Sequence, residues 1–257
     1  INLLQLAAMM IGVAAVSNTH AVQHFRAHAE VALMKGDADE ALRVGNRSLE
    51  TDESLTMLRI FALSQKGQLA DRLFEYAVSG TSADMLPMQG SKSTLLLMPD
   101  SLLWQHFGVC PDSIVATDEH GVTQKGSQDA RVHPVLSVAQ YLDSLEQDTL
   151  ATVAWRDYRL MGQLIDRRID TFVVCLPHYY PIEADSLPRH YREALVLYNH
   201  RHSHPHVVYH DPVLDVDYRD MRKMMGACRD NNERRVKLLE NYAGSYWSYY
   251  DYNTRLR

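Results

Sequence analysis

Two consecutive pairs of amphipathic helices, predicted within residues 22–77, constrain the fold of this chain more than any other feature. In the first pair, apolar and small side chains recur at helical spacing over 25–33 and therefore lie on one face of a helix. Gly36 is suited to the left-handed conformation that ends a helix, and Asp37 is suited to cap the next one. The second helix of this pair is predicted over residues 38–49.

The second pair repeats the arrangement of the first. Asp52 is a candidate cap for a helix with an apolar face over 55–62, Gly67 ends that helix, and another apolar face follows over 69–77. Gly36 and Gly67 lie 31 residues apart, close to the period of about 34 residues in tetratricopeptide repeats. The predicted fold is therefore all-α, with tetratricopeptide-like stacked helical hairpins in an α-α superhelix. An ordinary helical bundle with similar caps is the alternative.

Several positions depart from the repeat consensus. Phe25 takes the bulky aromatic position and Ala41 the small position where the two helices cross. However, Gly45 stands where an aromatic residue is usual, Arg72 replaces the second alanine, and no proline closes the pair. The tetratricopeptide-like prediction therefore depends on the period and the turns.

The remainder of the chain is predicted to continue the helical domain around an irregular insertion at 79–132. Glycine, proline and small polar residues are dense in this region, which disfavours long helices. Within it, 95–98 is predicted to be extended or a short strand, and 101–107 a short helix. Further helices are predicted at 151–166, 169–178, 216–228 and 231–243, with one more after Pro188 and an aromatic segment at 242–252 that covers the end of the array.

Residues 1–20 form a separate apolar segment, and 21–257 are predicted to form a single domain. Residues 3–16 contain one polar residue, Gln5. Fourteen residues are fewer than the approximately 20 that a membrane-spanning helix needs, and the chain begins without methionine. We therefore consider two possibilities: the end of a membrane helix whose beginning lies upstream, or a buried first helix that packs on the first hairpin.

Composition and the lack of known signatures narrow the classes of function. The net charge is −6, and the sequence indicates no basic stripe that could neutralise phosphates, so a nucleic-acid partner is not expected. The three cysteines, Cys110, Cys175 and Cys228, are far apart and indicate neither a disulfide framework nor a zinc site. No nucleophile elbow, phosphate-binding loop or dinucleotide fingerprint occurs. The sequence therefore predicts a non-catalytic protein without a cofactor.

The candidate binding residues are Gln23, Arg26 and Glu30. In the tetratricopeptide register they lie on the concave side of the first helix. Arg26 and Glu30 are four residues apart, the spacing at which opposite charges pair on a helix. A polar line of this kind suits the backbone or the charged ends of a bound peptide.

A histidine cluster at 200–210 supports an alternative, a metal-dependent hydrolase. His202, His204 and His206 alternate, so in an extended segment they lie on one face, and three imidazoles are a suitable ligand set for zinc or copper. The spacing matches no common zinc signature. A surface loop is the simpler interpretation, and no metal is assigned.

Several segments resemble an uncharacterised family of Bacteroidota membrane proteins. They are Ser48–Asp52, Leu63–Gly67, Leu73–Tyr76, Leu187–Leu195, Val207–Asp211, Glu233–Arg235 and Tyr246–Tyr250. The resemblance implies several transmembrane helices followed by a tetratricopeptide-like domain, and it supplies no catalytic residue. We therefore expect a membrane-anchored binding or scaffold domain, periplasmic or extracellular, that recognises a protein, a peptide or a glycan.

Overall fold

The computed structural model describes residues 21–114, 136–182 and 187–255, together with Gln5 and two strands of two residues each. These residues confirm the all-α prediction. The α-helices are α1 (Ala21–Met34), α2 (Ala38–Arg43), α3 (Glu53–Gln65), α4 (Leu69–Arg72), α5 (Ser101–Phe107), α6 (Val138–Gln147), α7 (Ala154–Ile165), α8 (Ile169–Cys175), α9 (Arg189–Arg201), α10 (Pro212–Ala227), α11 (Asn231–Tyr242) and α12 (Tyr246–Arg255). Short 3-10 helices occupy Leu73–Glu75, Ser82–Asp84, Pro111–Ser113 and Leu176–His178. The strands β1 (Ala116–Thr117) and β2 (Thr123–Gln124) pair antiparallel.

The predicted caps and turns of the first two hairpins are present. The Asp37 carboxylate accepts a hydrogen bond from the Glu40 N–H at 2.9 Å, and the Asp52 carboxylate accepts one from the Leu55 N–H at 2.7 Å. Gly36 has a positive φ of 76°, as a left-handed helix end requires. The capping residues therefore set the boundaries of these helices as the sequence indicates.

The second helix of the first hairpin is shorter than predicted. It ends at Arg43, and Gly45 follows with a φ of 61°. A Cβ atom on Gly45 would lie 2.7 Å from the Phe25 ring, so glycine here both turns the chain and lets it approach the first helix. The prediction of a helix over 38–49 was wrong beyond Arg43, because apolar spacing does not reveal this turn.

Ala41 is 2% exposed, in the small helix that packs against α1 and α3. We expect Ala41→Leu to lower the free energy of unfolding by about 1–3 kcal/mol, because the added atoms overpack the contact between the helices. Urea unfolding monitored by circular dichroism measures the change. An unaltered midpoint would show that the hairpin does not pack as described.

The region predicted as an irregular insertion contributes to the common core. Its helix α5 has the predicted bounds, and Leu103 and Phe107 on this helix are fully buried. Other apolar side chains of this region, Met85, Leu86, Met88, Met98, Trp104 and Val109, belong to the same hydrophobic cluster as the helical hairpins. The irregular backbone therefore packs against the helices.

The third predicted hairpin is present as α7 and α8, with Arg167 in its turn. Among the described residues, Arg167 is the one non-glycine residue with a positive φ, 59°. Its guanidinium lies 5.1 Å from the centre of the Tyr249 ring, a favourable cation–π distance. The positive φ is unfavourable for a residue with a side chain, and here it is accompanied by a cation–π contact that requires a long cationic side chain.

Helix α9 is at the centre of the C-terminal half. It packs against α4, α8, α10 and α12, and most of its residues from His190 to Tyr198 are buried. Helix α10 begins earlier than the predicted residue 216, because Asp211 caps it and Pro212 occupies its first turn. In the described part of the chain, no helix has the length and apolarity needed to cross a membrane. The segment 1–20 lies outside the described residues except for Gln5.

Candidate functional site

Two of the predicted groove residues, Arg26 and Glu30, hold a segment of the chain itself. This segment bends at 96–98, so the prediction of extended structure over 95–98 was wrong there. Glu30 is fully buried, and its carboxylate accepts hydrogen bonds from the N–H groups of Leu96, Leu97 and Met98 at 2.5–3.0 Å. Hydrogen bonds from three N–H donors to one carboxylate are charge-assisted and therefore strong. Glu30 therefore fixes the backbone of the insertion against α1.

Arg26 contributes to the same arrangement and does not pair with Glu30. Its guanidinium donates hydrogen bonds to the Thr94 carbonyl and hydroxyl, both at 2.9 Å, and lies 3.4 Å from the Asp52 carboxylate. Gln23 lies on the same helix and is exposed. Arg26 and Glu30 thus hold backbone of the chain itself, and the acceptor oxygens of Glu30 are already occupied.

Three of the segments that carry the family resemblance meet at one buried charged cluster. The Glu193 carboxylate accepts hydrogen bonds from His190 at 3.0 Å, from the Arg189 guanidinium at 2.8 Å and from the Tyr246 N–H at 2.7 Å. The Phe74 N–H donates to His190 Nε2 at 3.4 Å, so the ring proton is on Nδ1 and faces Glu193. The cluster therefore joins α9 to the end of the second hairpin and to α12.

The burial and the contacts of this cluster indicate a structural role. Glu193 is 2% exposed and His190 is fully buried, so neither is accessible to a substrate. The Trp247 indole N–H donates to the Glu193 carbonyl at 2.7 Å, and the Phe74 ring stacks on Tyr249 with centroids 4.6 Å apart. The aromatic segment near the C-terminus therefore packs into the core beside α9.

The pKa of Glu193 predicts a pH-dependent contribution to stability. Burial raises this pKa, but the hydrogen bonds from His190 and the Tyr246 N–H and the charge of Arg189 outweigh burial, so the pKa is lowered from its usual 4.5. A lowered pKa stabilises the fold above about pH 4.5, and this stabilisation is lost as the pH falls through the lower folded-state value.

We expect Glu193→Gln to be less stable than the wild type at neutral pH, and the difference to shrink as the pH falls below about 4.5. The measurement is urea unfolding of both proteins across this pH range. A difference in free energy of unfolding that is independent of pH would contradict the assignment.

The histidine cluster does not form the predicted face. Residues 202–210 bend at 203–204 and 206–207, and these bends interrupt the alternation of an extended segment. The His202 ring lies 4.2 Å from the Tyr198 ring at a tilt of 33°, and His202 pairs with Asp170 at 3.1 Å, whereas His200 pairs with Asp215 at 3.2 Å. Across the described residues, no three His, Cys, Asp or Glu side chains are arranged to hold a metal ion.

Two adjoining cavities lie beside this segment, and we call them together the α9–α10 cleft. The first, about 410 Å³, lies among α9, α10 and α12, and the second, about 440 Å³, lies under residues 205–210. They share His200 and Arg219. Volumes of a few hundred Å³ are typical of ligand pockets, so the cleft is the candidate functional site.

The segment that forms one wall of the cleft is anchored at several points. The Asn199 amide donates to the Tyr209 carbonyl at 2.6 Å, and the His206 N–H donates to the Tyr198 hydroxyl at 3.3 Å. Arg192 pairs with Asp211 at 3.3 Å, where α10 begins. These contacts hold the segment against α9 and so fix this wall of the cleft.

Positive charge is concentrated in the first cavity. Arg201, Arg219, Arg222 and Lys223 line it, together with one buried acid, Asp251. Within the described part of the chain, neither Arg219 nor Arg222 pairs with a carboxylate, although Lys223 lies 3.3 Å from Asp220. A cavity with excess guanidinium and ammonium groups is suited to bind anions.

The sequence reading missed this cationic wall. Arg219, Arg222 and Lys223 are at positions i, i+3 and i+4 of α10 and therefore lie on one face. The helix predicted over 216–228 already contained these three residues, but the net charge of −6 obscured the short stripe that they form. Three acids, Asp215, Asp217 and Asp220, also balance the three cations within α10, so only the spacing of the cations along the helix reveals their common face.

Comparison with known proteins adds one finding. No curated protein and no solved structure matches the chain. The model of a family of unknown function, DUF6057, matches residues 118–253. This range contains α9, α10, the cleft and most of the Glu193 cluster, whereas the first two hairpins precede it. Because the match covers more than half of the sequence, the chain belongs to the DUF6057 family.

Proposed function

We propose that this protein is a non-catalytic binding domain that recognises a protein or peptide partner through the α9–α10 cleft. The observation that carries the proposal is a preformed cleft whose first cavity has arginine side chains without carboxylate partners in the described structure. A glycan is a further candidate ligand, because the aromatic ring of Tyr209 lines the second cavity.

We further propose that the hairpins belong to a tetratricopeptide-like superhelix and that the domain is anchored to a membrane, on its periplasmic or extracellular side. The 31-residue period and the glycine turns at Gly36 and Gly67 support the first point. The apolar composition of residues 3–16 and the resemblance to Bacteroidota membrane proteins support the second.

Capture of partners from native membranes tests the binding function. Val208 is 62% exposed and lines the second cavity, so Val208→Trp fills the cleft without altering the core. Val153 is similarly exposed and lines neither cavity, so Val153→Trp is the matched control. We expect a partner captured by the wild type and the control to be lost with Val208→Trp. Equal capture by all three proteins would contradict the proposal.

Protease accessibility of the full-length protein in intact spheroplasts tests the location. We expect external protease to digest the domain together with a known periplasmic protein. Protection of the domain while the periplasmic control is digested would place it in the cytoplasm.

A further inference from the structure

We infer that the α9–α10 cleft recognises an acidic peptide segment in which carboxylate side chains lie next to an apolar side chain. This inference rests on the proposed binding function and specifies the class of ligand. The evidence is the excess of cationic side chains around the first cavity and the apolar patch in the second, and the two cavities share His200 and Arg219.

The first cavity supplies the recognition of charge. Arg201 comes from the last turn of α9, whereas Arg219, Arg222 and Lys223 come from α10. The Arg219 Nε–H donates to the Asp215 carbonyl at 3.0 Å, and this bond orients its guanidinium. Because the cations come from two helices and surround one cavity, they are better suited to a ligand with several carboxylates than to a ligand with one carboxylate.

The second cavity supplies an apolar patch, and histidines and other polar side chains complete its lining. Pro205, Val208 and Tyr209 line it, and its acid, Asp215, already pairs with His200 at 3.2 Å. A side chain such as leucine or phenylalanine would bury apolar area there, while its neighbouring carboxylates contact the first cavity. The adjoining arrangement fits a short stretch of chain, because a compact ligand would fill only one of the two cavities.

Charge complementarity explains how such a segment is selected by a protein that is acidic as a whole. The protein has a net charge of −6, so as a whole it repels an acidic partner. The cationic wall is a local exception, and it therefore directs an acidic segment to the cleft and away from the remaining surface.

Fluorescence anisotropy with defined peptides tests the inference. The probe is a short fluorescein-labelled peptide in which an Asp-Glu cluster is followed by Leu and Phe. One comparison peptide replaces the acids by lysine, and another replaces Leu and Phe by serine. We expect the probe to bind the whole chain most tightly, to bind more weakly as the salt concentration rises, and to lose about tenfold or more in affinity in the Arg222→Glu/Lys223→Glu variant.

The matched control is Lys35→Glu/Arg47→Glu, which makes the same change in net charge at two exposed residues of the first hairpin. Equal weakening by both variants would show a general effect of charge and overturn the inference. Failure of the probe to bind would also overturn it, as would Arg222- and Lys223-dependent binding of anionic phospholipid vesicles in place of the peptide. In each of these outcomes, the capture experiment with Val208→Trp distinguishes two conclusions. If the wild type still captures a partner that Val208→Trp does not, only the proposed class of ligand is wrong. If no such partner is captured, the proposed binding function is wrong as well.

Discussion

Replacement of Glu193 by alanine is expected to lower the free energy of unfolding by about 3–5 kcal/mol, because it removes one partner from a buried charged cluster. His190, which is fully buried, would lose its acceptor, and the Tyr246 N–H at the start of α12 would lose its partner. The Phe74 contact ties the second hairpin to the same cluster. The loss should therefore affect both the N-terminal hairpins and the C-terminal helices.

Chemical unfolding followed by circular dichroism and by tryptophan fluorescence measures this change. Glu240→Ala is the control, because Glu240 is exposed on the neighbouring helix α11, and we expect an effect within about 0.5 kcal/mol. Similar small effects of both substitutions would show that the Glu193 cluster is not a structural link.

Replacement of Glu30 by alanine is expected to cost about 3 kcal/mol and to release the segment it binds. The three N–H groups of Leu96, Leu97 and Met98 would lose a charged acceptor. Because Glu30 is fully buried, its removal would also leave a cavity in the core. Amide hydrogen exchange of these three residues should accelerate by about tenfold or more if this segment then opens separately from the rest of the fold.

The control for this experiment is Glu50→Ala, since Glu50 is exposed in the loop after the first hairpin. We expect it to leave both the unfolding free energy and the exchange of the three amides nearly unchanged. Unchanged exchange in Glu30→Ala would mean that the segment is held by other contacts.

Local features of the fold were predictable from the sequence because they depend on neighbouring residues. Asp37 and Asp52 cap helices at the expected positions, and the short helix Ser101–Phe107 has the expected bounds. Each of these depends on the chemistry of a few adjacent residues, such as a carboxylate within reach of an N–H three positions later.

Contacts between distant segments were not predictable in the same way. Periodicity showed that α1 has a buried face, but it did not show that Glu30 would bind backbone 66–68 residues further along the chain. Likewise, His190 meets Phe74 across 116 residues. An amphipathic pattern identifies which side chains leave water and does not specify their partners.

The candidate site was only partly predictable for the same reason. The histidine segment was recognised as unusual, but its bends and its pairing with Asp170 and Asp215 depend on helices elsewhere in the chain. The cationic wall was present in the sequence as a spacing along α10, yet its meaning depends on Arg201 of another helix lining the same cavity.

Site-specific photo-crosslinking in native membranes is the most direct test of the central claim that the α9–α10 cleft holds a partner. A photoreactive amino acid replaces Val208 in the full-length protein, and the same substitution at Val153 serves as the control. The account predicts a discrete crosslinked product from position 208 that is absent from position 153 and is reduced by Arg222→Glu/Lys223→Glu. The absence of a product at position 208, or the same product at both positions, would contradict it.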